Sequence, residues 1–583
     1  MKKKLNLDFI RSEIIGRDFY FTTPYGKRLL TYADYTASGR SLGFIEKYLI
    51  HIQRIYANTH TEDDVTGRNM TGIMHRAEKN IKKAFNAEKN GKIIETGSGS
   101  TAAISKFQEI IGVRLPASTK VLIEKLANRS IKENTENREN KINREIYDQL
   151  LLDLNKNKPV VFVGPYEHHS NDIMWREAFD EVIEIELIED GLLDLDDLEK
   201  KVSDPKYDKR MKIGSFSAAS NVTGLKTPVY EVARILHKHN SLACFDFAAS
   251  APYVKIDMNH DKESYFDAVF ISPHKFLGGP GSTGVLVFNE KLYNTNLPPT
   301  FAAGGTVDFV SSEKVEYTKD IETREKPGTP GILQIIKASL AINLKESIGI
   351  DLIEEREQDF IKRAFERFSK NPRIQILGNQ DPEKRIAIFS FLFHHKDKYL
   401  HPKFATKLIN DLFGIQSRAG CSCAGVYGHH LLNIGIKKSE KFRKVVKKGY
   451  MSIKPGWTRI NFHYTITEEE FDFICSAIEF VADYGYLFIP EYRMDLQTGD
   501  WIHKDYEDRD LKFNPTIGNI LKISMKDCFD EEEIDKAKIF SEYLNEAKIL
   551  AENLKSNEKN ISFIPYEDHE AEKLRWFYFS NTK

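Results

Sequence analysis

Short β-rich runs alternate with helical patterns along most of this chain, from about residue 30 to residue 480. The runs that predict strands are KIIETG (92–97), VVFVG (160–164), KIGSFS (212–217) and ACFDF (243–247). Between the last two, the segment VYEVARILHKHN (229–240) places its apolar residues on one helical face, as expected of a crossover connection. Such alternation predicts a mainly parallel sheet with helices on its faces.

The size and charge of the chain limit the kinds of ligand to expect. With 583 residues it is long enough for more than one domain. Its 84 Lys and Arg residues nearly balance its 86 Asp and Glu residues, so the total charge gives no argument for a nucleic-acid or membrane partner. The expected ligand is therefore a small molecule.

The five cysteines lack the dense spacing of disulfide-rich secreted domains, which indicates a reducing compartment. The first residues, MKKKLNLDFIRSEII, interrupt their apolar positions with charged ones and so form no signal-peptide core. No apolar run is long enough to span a bilayer. These features predict a cytoplasmic protein without a membrane partner.

Two regions lie outside the alternating pattern. Residues 128–157, within a polar insertion at about 118–157, are rich in Asn, Lys and Glu and predict an exposed segment with a helical second half. Beyond about Pro490 the chain forms a C-terminal extension, in which residues 531–555 have the spacing of an amphipathic helix. The pattern of neither region indicates a particular chemistry.

Lys275 lies in ISPHKFLGGPGSTG (271–284), a glycine-rich connection between two apolar runs that predict strands. A lysine amine that is held in a packed site and partly deprotonated attacks carbonyl carbon, so Lys275 could form a Schiff base with an aldehyde cofactor. By itself the pattern also fits a surface lysine on a glycine loop.

Asp246, at the end of the run ACFDF, strengthens the catalytic interpretation of Lys275. Ligands of open α/β sheets gather at the carboxyl ends of the strands. A carboxylate there can pair with a protonated pyridine nitrogen, which keeps pyridoxal 5′-phosphate (PLP) an effective electron sink. The alternative is an aspartate that caps a helix.

Two further segments follow predicted strands. Residues 97–101, Gly-Ser-Gly-Ser-Thr, offer N–H groups and hydroxyls to an anion, so Ser100 and Thr101 are candidate phosphate ligands, with helix capping by Ser100 as the alternative. In EHHSNDIMW (167–175), a histidine can stack on a ring or move a proton. A metal or structural histidine pair is the alternative, although no carboxylate-rich triad at zincin spacing accompanies it.

Taken together, these segments resemble the fold type I PLP enzymes of the class V aminotransferase family, and most closely its cysteine desulfurase and selenocysteine lyase group. The likeness extends from about residue 32 to residue 482. It rests on YADYTASG (32–39), YANTHT (56–61), GSGSTAA (97–103), EHHSNDIMW (167–175), SNVTG (220–224), FDFAAS (245–250), SPHK (272–275), GTPG (328–331), RAGCSCAG (418–425) and WTRINF (457–462).

The resemblance implies roles at individual positions. Lys275 corresponds to the Schiff-base lysine, and Asp246 would pair with the nitrogen of the cofactor ring. His168 would stack on that ring as a catalytic residue. Asn221 would lie near the phenolic oxygen and the substrate, and Arg459 would clamp the substrate carboxylate, a task suited to its planar bidentate fork.

By the same resemblance, the cofactor phosphate would be bound by Ser100, Thr101, Ser272 and His274. Thr306, in GGTV, would reach the phosphate in the partner subunit, because members of this family are homodimers with shared sites. The resemblance implies no metal site.

Two positions depart from the pattern of the group. Where a Gln usually follows the cofactor aspartate, this chain has Ala249, so a hydrogen bond to the phenolic oxygen is missing or supplied elsewhere. Where a Glu often precedes the GTP motif, this chain has Lys326, with Glu325 beside it.

The segment QSRAGCSCAGVYGHHLL (416–432) has the composition of a loop that approaches a ligand. Cys423 falls where desulfurases keep their sulfur-accepting cysteine, whose thiolate is the attacking species. Cys421 could resolve, compete or simply pack. The alternatives are a metal or redox clip that includes His429 and His430, or a structural Cys423.

The first hypothesis is a PLP-dependent cysteine desulfurase that acts on L-cysteine, leaves a persulfide on Cys423 and releases alanine, with a protein as a candidate sulfur acceptor. A second is another class V enzyme (a selenocysteine lyase, aminotransferase, epimerase or other β-elimination lyase) in which Cys423 is not the acceptor. A third is a binding or scaffold protein with a degenerate site, against which the retention of Lys275, Asp246 and Arg459 argues.

The expected fold class is α/β, the fold type I of PLP-dependent transferases, with a large domain, a smaller α+β domain and a C-terminal extension. The predicted domain limits are 1–30 for an N-terminal segment of the small domain, 31–310 for the PLP-binding large domain, 311–485 for the small domain with Cys423 and Arg459, and 486–583 for the extension.

Overall fold

The computed structural model describes residues 5–580 except 60, 133–148, 150–151, 154–155, 508–515, 518–533, 557 and 559–560. Its strands, numbered β1–β20 in chain order, are Tyr20–Thr23, Gly26–Leu29, Thr31–Tyr32, Gly91–Thr96, Val160–Val163, Glu181–Glu184, Lys212–Ser217, Ser241–Asp246, Ala268–Ile271, Gly284–Asn289, Val307–Val310, Val315–Tyr317, Ile374–Ile376, Ile388–His395, Lys398–Tyr399, Ile415–Gln416, Arg418–Gly420, Trp457–Asn461, Tyr492–Met494 and Trp501–His503.

The α-helices of the described residues, numbered α1–α17 in chain order, are Leu7–Ser12, Gly43–Ile52, Val65–Ala84, Gly99–Ile110, Ala117–Lys132, His169–Arg176, Leu195–Val202, Val229–Lys238, Ile321–Arg324, Ile332–Ile348, Ile350–Phe368, Pro402–Phe413, Gly425–Leu431, Ile436–Lys447, Glu468–Tyr484, Lys536–Lys555 and His569–Leu574.

A seven-stranded sheet in the order β4-β10-β9-β8-β7-β5-β6 forms the centre of the larger part of the protein. Strands β5 to β9 pair in parallel, and β10 runs antiparallel to both β4 and β9. The four runs that predict strands are β4, β5, β7 and β8. The expectation of a mainly parallel sheet is therefore confirmed.

Helices cover both faces of this sheet. The predicted crossover is α8, which joins the parallel strands β7 and β8 and buries Val232, Ala233 and Leu236. Every residue of β5, β7 and β9 is buried, as expected for strands covered on both faces. Two apolar clusters, one on each face, form the core.

A second, antiparallel sheet has the order β13-β14-β18-β17 and packs with α12 and α15 around its own apolar cluster. Helix α15 begins with a capping box, in which Thr467 and Glu470 satisfy each other's backbone N–H groups. Within the described residues, one stretch, Glu468–Glu491, is long and apolar enough to cross a membrane by length and composition, contrary to the prediction that no apolar run could do so. Because 67% of its apolar 18-residue window is buried inside the protein, the stretch is accounted for as part of the core.

The C-terminal extension packs into the core of the small sheet. The predicted amphipathic helix is α16, and the ring of Phe540 stacks on Phe473 with centroids 3.9 Å apart and planes 5° apart. The hydroxyl of Tyr543 accepts a hydrogen bond of 3.0 Å from the Leu29 N–H. The extension is thus an integral layer of this part of the protein.

The insertion begins with helix α5, and most of its predicted helical second half lies outside the described residues. The large sheet falls within residues 91–289 and the small sheet within 374–461. The domain limits at 31, 311 and 486 stay a prediction.

We expect Phe540→Ala to lower the free energy of unfolding by about 3 kcal/mol, because it removes a buried ring and leaves a cavity. Urea unfolding followed by circular dichroism measures this change. Glu542→Ala, on the exposed side of the same helix, is the control and should change the free energy by less than about 0.5 kcal/mol. Two equally small effects would contradict the packing of the extension on the core.

Candidate active site

The predicted site residues follow strands whose carboxyl ends meet at one edge of the large sheet. Since β10 is antiparallel to both β4 and β9, β4 runs in the same direction as β9. Beyond this edge the chain places Ser100 after β4, at the start of α4, His168 after β5, Asn221 after β7 and Lys275 after β9. Asp246 is the last residue of β8. This edge is where open α/β sheets bind ligands.

Lys275 lies on a short 3₁₀ turn between β9 and β10, where its backbone N–H donates to the Ser272 carbonyl at 3.0 Å. Burial lowers the pKa of Lys275 to about 8; Arg459 acts in the same direction, while the carboxylates of Asp246 and Asp34 oppose it. An amine with this pKa is substantially neutral near pH 8, where an ordinary lysine is almost fully protonated. The side chain is therefore suited to act as a nucleophile or a proton carrier.

The turn after β4 packs closely against the loop that carries Lys275. Gly99 has a positive φ of 63°, and a Cβ there would lie 2.6 Å from Ser272 Oγ and 2.9 Å from His274 Cε1. The Ser100 N–H donates to Ser272 Oγ at 2.9 Å. Ser98, not Ser100, is the N-cap residue of α4. The helix N-terminus and the hydroxyls therefore form one cradle suited to an anion.

A hydroxyl chain connects this cradle to His168. Thr101 Oγ1 lies 2.7 Å from Ser170 Oγ, which lies 3.0 Å from His168 Nδ1. Burial lowers the pKa of His168 to about 4, and the charge of Lys275 adds to the effect. The same two causes lower the pKa of His274 to about 4. Both rings are therefore neutral near pH 7, the state in which an imidazole stacks and accepts a proton.

Asp246 is buried at the end of β8. Its Oδ1 accepts a hydrogen bond of 2.9 Å from the Ala248 N–H. Burial raises the pKa of Asp246, whereas the Ala248 N–H, the Lys275 charge and the Ser100 hydroxyl hold it down. A buried carboxylate in this position favours a cationic partner.

Arg459 and Asn221 form the wall opposite, where the small sheet meets the large one. Arg459 Nη1 donates to the Asn221 carbonyl and Nη2 to Asp34 Oδ1, both at 2.9 Å. Arg418 Nε donates to Asp34 Oδ2, also at 2.9 Å. Within the described residues, the buried atoms Arg459 Nε and Asn221 Oδ1 have no hydrogen-bond partner. Buried polar groups are rarely left in this state, so this wall is suited to a polar ligand.

The cysteine loop closes over this wall. Asn221 Nδ2 donates to the Ser422 carbonyl at 2.7 Å, and the His169 N–H donates to the Cys423 carbonyl at 2.8 Å. Cys423 is exposed and lies close enough to Arg459 for its charge to oppose the lowering of the arginine pKa by burial. The structure thus brings together Cys423, Asn221 and Arg459, which lie far apart in the sequence.

The two histidines that follow Cys423 make other contacts. His429 Nδ1 lies 2.7 Å from the Gly425 carbonyl, and His430 Nε2 lies 3.3 Å from Glu184. Cys421 is exposed and, like Cys423, unpaired. In the described part of the chain, no group of three or more His, Cys, Asp and Glu side chains is arranged to hold a metal ion.

Thr306 is the predicted site residue that the single chain does not bring to the cradle. Its hydroxyl donates to the Ala303 carbonyl at 2.7 Å, at the base of the hairpin formed by β11 and β12. This hairpin exposes 58% of Phe309 and 57% of Val310. A contact of Thr306 with a neighbouring subunit stays a prediction.

The structure also places the two departures from the family pattern. Ala249 is buried beside the site and has no side chain that could donate a hydrogen bond. Lys326 is buried in an ion pair with Glu78, with Glu95 at 3.9 Å, whereas Glu325 pairs with Lys106 at 3.0 Å. Lys326 and Glu325 therefore belong to separate buried charge pairs.

Four residues around the site were not singled out as functional from the sequence: Asp34, Glu167, Ser170 and Arg418. Glu167 is buried and accepts hydrogen bonds from the Ser217 hydroxyl at 2.6 Å and from Asn171 at 2.7 Å, and burial raises its pKa to about 8. Each of the four lies inside a segment quoted above, but nothing local indicated its partner.

The family model of aminotransferase class V matches residues 145–473 of this chain. A probable cysteine desulfurase of Halalkalibacterium halodurans is 32% identical over 268 residues, 45% of this chain and 61% of that relative. A probable cysteine desulfurase of Staphylococcus aureus is 27% identical over 407 residues, 68% of this chain and 84% of the relative. The match to the first relative thus spans about three-fifths of its length.

Solved structures resemble the chain over most of its length. The apo cysteine desulfurase of Thermococcus onnurineus has a TM-score of 0.61 at 20% identity, with 83% of this chain and 100% of that chain covered. The cysteine desulfurase CsdA of Escherichia coli has a TM-score of 0.57 at 18% identity, with coverages of 82% and 98%. These similarities confirm the expected fold class.

We expect the Lys275 amine to react with acetic anhydride in a pH-dependent manner with a midpoint near 8, because burial lowers its pKa to about that value. Competitive labelling read by peptide mass spectrometry measures this midpoint, with surface lysines of the same digest expected near 10.4. Asp246→Asn should move the Lys275 midpoint lower still, since it removes a carboxylate that favours the charged amine. A midpoint near that of the surface lysines would contradict the assigned environment.

Proposed function

Since this chain belongs to the class V aminotransferase family, we propose that it is a PLP-dependent cysteine desulfurase that removes sulfur from L-cysteine and releases L-alanine. The sulfur is left as a persulfide on Cys423. One observation supports this proposal most strongly: the cysteine loop is tied by Asn221 and His169 to the edge of the sheet where Lys275 lies.

The residues present fit PLP. The cofactor needs an amine for its aldehyde, donors for its phosphate and a carboxylate for its ring nitrogen. Lys275 supplies an amine of lowered pKa, the Gly99 turn a cradle of donors, and Asp246 a buried carboxylate. The buried Asn221 Oδ1, without a partner among the described residues, is available to a polar group of the cofactor or substrate.

The proposed cofactor contacts follow from this placement. Lys275 would hold the aldehyde carbon, Asp246 the ring nitrogen, His168 the face of the ring and Asn221 the side of the phenolic oxygen. The phosphate would be bound by Ser100, Thr101, Ser272, His274 and, from the partner subunit, Thr306. When bound, PLP supplies an electron sink that stabilises negative charge on the substrate.

Arg459 would hold the carboxylate of the substrate. Its guanidinium is fixed by Asp34 and by the Asn221 carbonyl, and its Nε–H has no partner among the described residues. A fixed, planar donor group selects a carboxylate by geometry and charge together. L-Cysteine is the substrate that matches a carboxylate clamp with a thiol beside it.

Sulfur transfer would occur between the substrate and the cysteine loop. Attack of the Cys423 thiolate on the substrate sulfur forms a new S–S bond and breaks the Cβ–S bond. The Cβ carbon then takes a proton, and alanine leaves. Lys275 Nζ, with a pKa of about 8, can both accept and return protons in this sequence.

We further place the protein in the reducing cytoplasm as a homodimer. Its four described cysteines are unpaired, and a reducing environment keeps Cys423 a thiol. The exposed apolar hairpin that starts after Thr306 provides a surface that a second subunit would cover. A protein that carries sulfur away is the expected further partner.

We expect the protein loaded with PLP to show the visible absorbance of the bound cofactor. With L-cysteine and a thiol reductant, it should release alanine and sulfide in equal amounts.

Lys275→Ala should lower alanine release at least ~1,000-fold, because no amine remains to hold the cofactor or move the proton. Alanine and sulfide assays measure both products. If the cofactor absorbance is present but no alanine forms, the protein is a PLP enzyme that acts on another substrate. If the cofactor absorbance is absent, the proposal is overturned.

We expect Cys423→Ala to lower alanine release from L-cysteine at least ~100-fold while the cofactor absorbance is kept, because the sulfur acceptor is gone. Cys475→Ala, which removes a thiol buried in the small-sheet core, is the control for a cysteine outside the site. Undiminished alanine release by Cys423→Ala would favour the alternative function, in which Cys423 is not the sulfur acceptor. That alternative is another class V activity, such as that of a selenocysteine lyase, aminotransferase, epimerase or other β-elimination lyase.

A further inference from the structure

Cys421 and Cys423 lie on one tight turn of unusual geometry. The Ala424 N–H donates to the Cys421 carbonyl at 3.0 Å, and the two central residues, Ser422 and Cys423, both have positive φ, 51° and 56°. Two positive φ values in succession define a type I′ turn, which normally uses Asn or Gly. Because side chains other than those of Asn and Gly are disfavoured in this conformation, the chain keeps the two thiols on this turn at an energetic disadvantage.

The turn presents its two cysteines to different surroundings. Cys423 lies near Arg459, and its carbonyl accepts a hydrogen bond from the His169 N–H, as described above. Cys421 lines a separate cavity of about 550 Å³, which Cys423 does not line. This cavity lies between α13, α14, the start of β18 and the turn of the extension that contains Thr498 and Gly499.

The cavity combines an apolar wall with positive charge. Trp457 and Phe442 contribute apolar surface, and Lys403, Arg443 and Lys454 line it as well. Lys403 pairs with Asp500 and Arg443 with Glu440, but Lys454 forms no salt bridge with a described residue. This environment suits an anionic sulfur.

His429 lines the same cavity and has a defined tautomer. Its Nδ1 lies 2.7 Å from the Gly425 carbonyl, which can only accept, so Nδ1 carries the proton. In the neutral ring Nε2 is then a proton acceptor. A base therefore lines the cavity together with Cys421.

Helix α14 lines the cavity through Ser439, Phe442, Arg443 and Val446, and its remaining surface carries a strong positive charge. Five of its lysines are exposed and form no salt bridge with any residue that the structure describes: Lys437, Lys438, Lys441, Lys444 and Lys447. Unpaired lysines on one helix attract an acidic surface.

We propose, on the basis of the proposed desulfurase function, that Cys421 takes the sulfur from Cys423 and presents it in this cavity to a thiol of a protein with an acidic surface. The Cys421 thiolate attacks the outer sulfur of the Cys423 persulfide. The S–S bond to Cys423 breaks, an S–S bond to Cys421 forms, and Cys423 leaves as a thiolate. The proton lost by Cys421 passes to His429 or water, and the sum of oxidation states is unchanged, so the step needs no oxidant or reductant.

The transfer lies within covalent reach. Two residues separated by one other have Cα atoms at most about 7.6 Å apart, because consecutive Cα atoms are about 3.8 Å apart. The outer sulfur of a persulfide lies about 2 Å beyond the inner one. Rotation about the side-chain bonds of Cys421 and Cys423 is therefore sufficient to bring the two sulfurs together.

Persulfide mapping tests the relay. PLP-loaded protein is given less than one equivalent of L-cysteine, quenched with an alkylating reagent at increasing times and analysed by fragmentation of the peptide that contains both cysteines. We expect the sulfur on Cys423 first and on Cys421 later; in Cys421→Ser it should stay on Cys423, and in Cys423→Ser neither position should carry it.

Three results would overturn the relay: no sulfur on Cys421 of the unaltered protein, sulfur on Cys421 of Cys423→Ser, or a Cys421–Cys423 disulfide with released sulfide. If the unaltered protein forms no alanine, the proposed function itself fails. If alanine forms and Cys421 stays unlabelled, only the relay fails. The alanine measurement thus separates the two failures.

Acceptor peptides test the surface. We use a glutamate-rich and a lysine-rich peptide of equal length, each with one cysteine, and follow persulfide transfer to the peptide by mass spectrometry. At low salt we expect persulfide transfer to the glutamate-rich peptide to be about tenfold faster than transfer to the lysine-rich peptide. High salt should abolish this preference. The triple variant Lys437→Glu, Lys441→Glu, Lys444→Glu should abolish it as well. Lys548→Glu with Lys555→Glu, on the exposed side of α16, should keep the preference. Equal rates for the two peptides, or a preference that survives the triple variant, would overturn the proposed docking surface.

Discussion

Asp34 holds two guanidinium groups in place, those of Arg418 and Arg459, which lie opposite each other on the neighbouring strands β17 and β18. The carboxylate lies 425 residues before Arg459 in the chain, so this pairing joins the N-terminal part to the small sheet. Asp34 and Arg459 are buried, whereas Arg418 is about half exposed, so removing Asp34 would leave the buried Arg459 charge uncompensated, at a cost of about 3–5 kcal/mol. The cysteine loop, which continues from β17, depends on this anchor for its position over the large sheet.

The charges around Lys275 follow from the same arrangement. Burial of the amine favours its neutral form, and the cations Arg459 and Arg418 act in the same direction, whereas Asp246 and Asp34 prevent the pKa from falling further. The neighbouring imidazoles of His168 and His274 lose their charge for the same reason. The site therefore concentrates neutral bases beside fixed arginines, a combination suited to binding an anionic ligand and moving protons on it.

The C-terminal extension changes the surroundings of the cysteine loop. Its helix α16 stacks on α15 through Phe540 and Phe473, and residues farther along, including Tyr566 and Phe577, join the same apolar cluster. The hairpin of β19 and β20 adds Thr498 and Gly499 to the cavity that Cys421 lines. An element with no chemistry visible in its sequence thus contributes a wall next to Cys421.

The sequence by itself determined the parallel sheet, because short β-rich runs alternate with helical patterns along the chain. It also determined the local motifs around Lys275, Asp246 and Cys423, because glycine turns and strand ends are local features. It did not determine the partners of Asp34 and Arg418, since a long-range ion pair leaves no periodic signal. Nor did it indicate the separate surroundings of Cys421 and Cys423, because two residues on one turn differ only in what the rest of the fold packs against them. Those relations were decided by tertiary structure, where burial and charge pairing between distant segments select one arrangement.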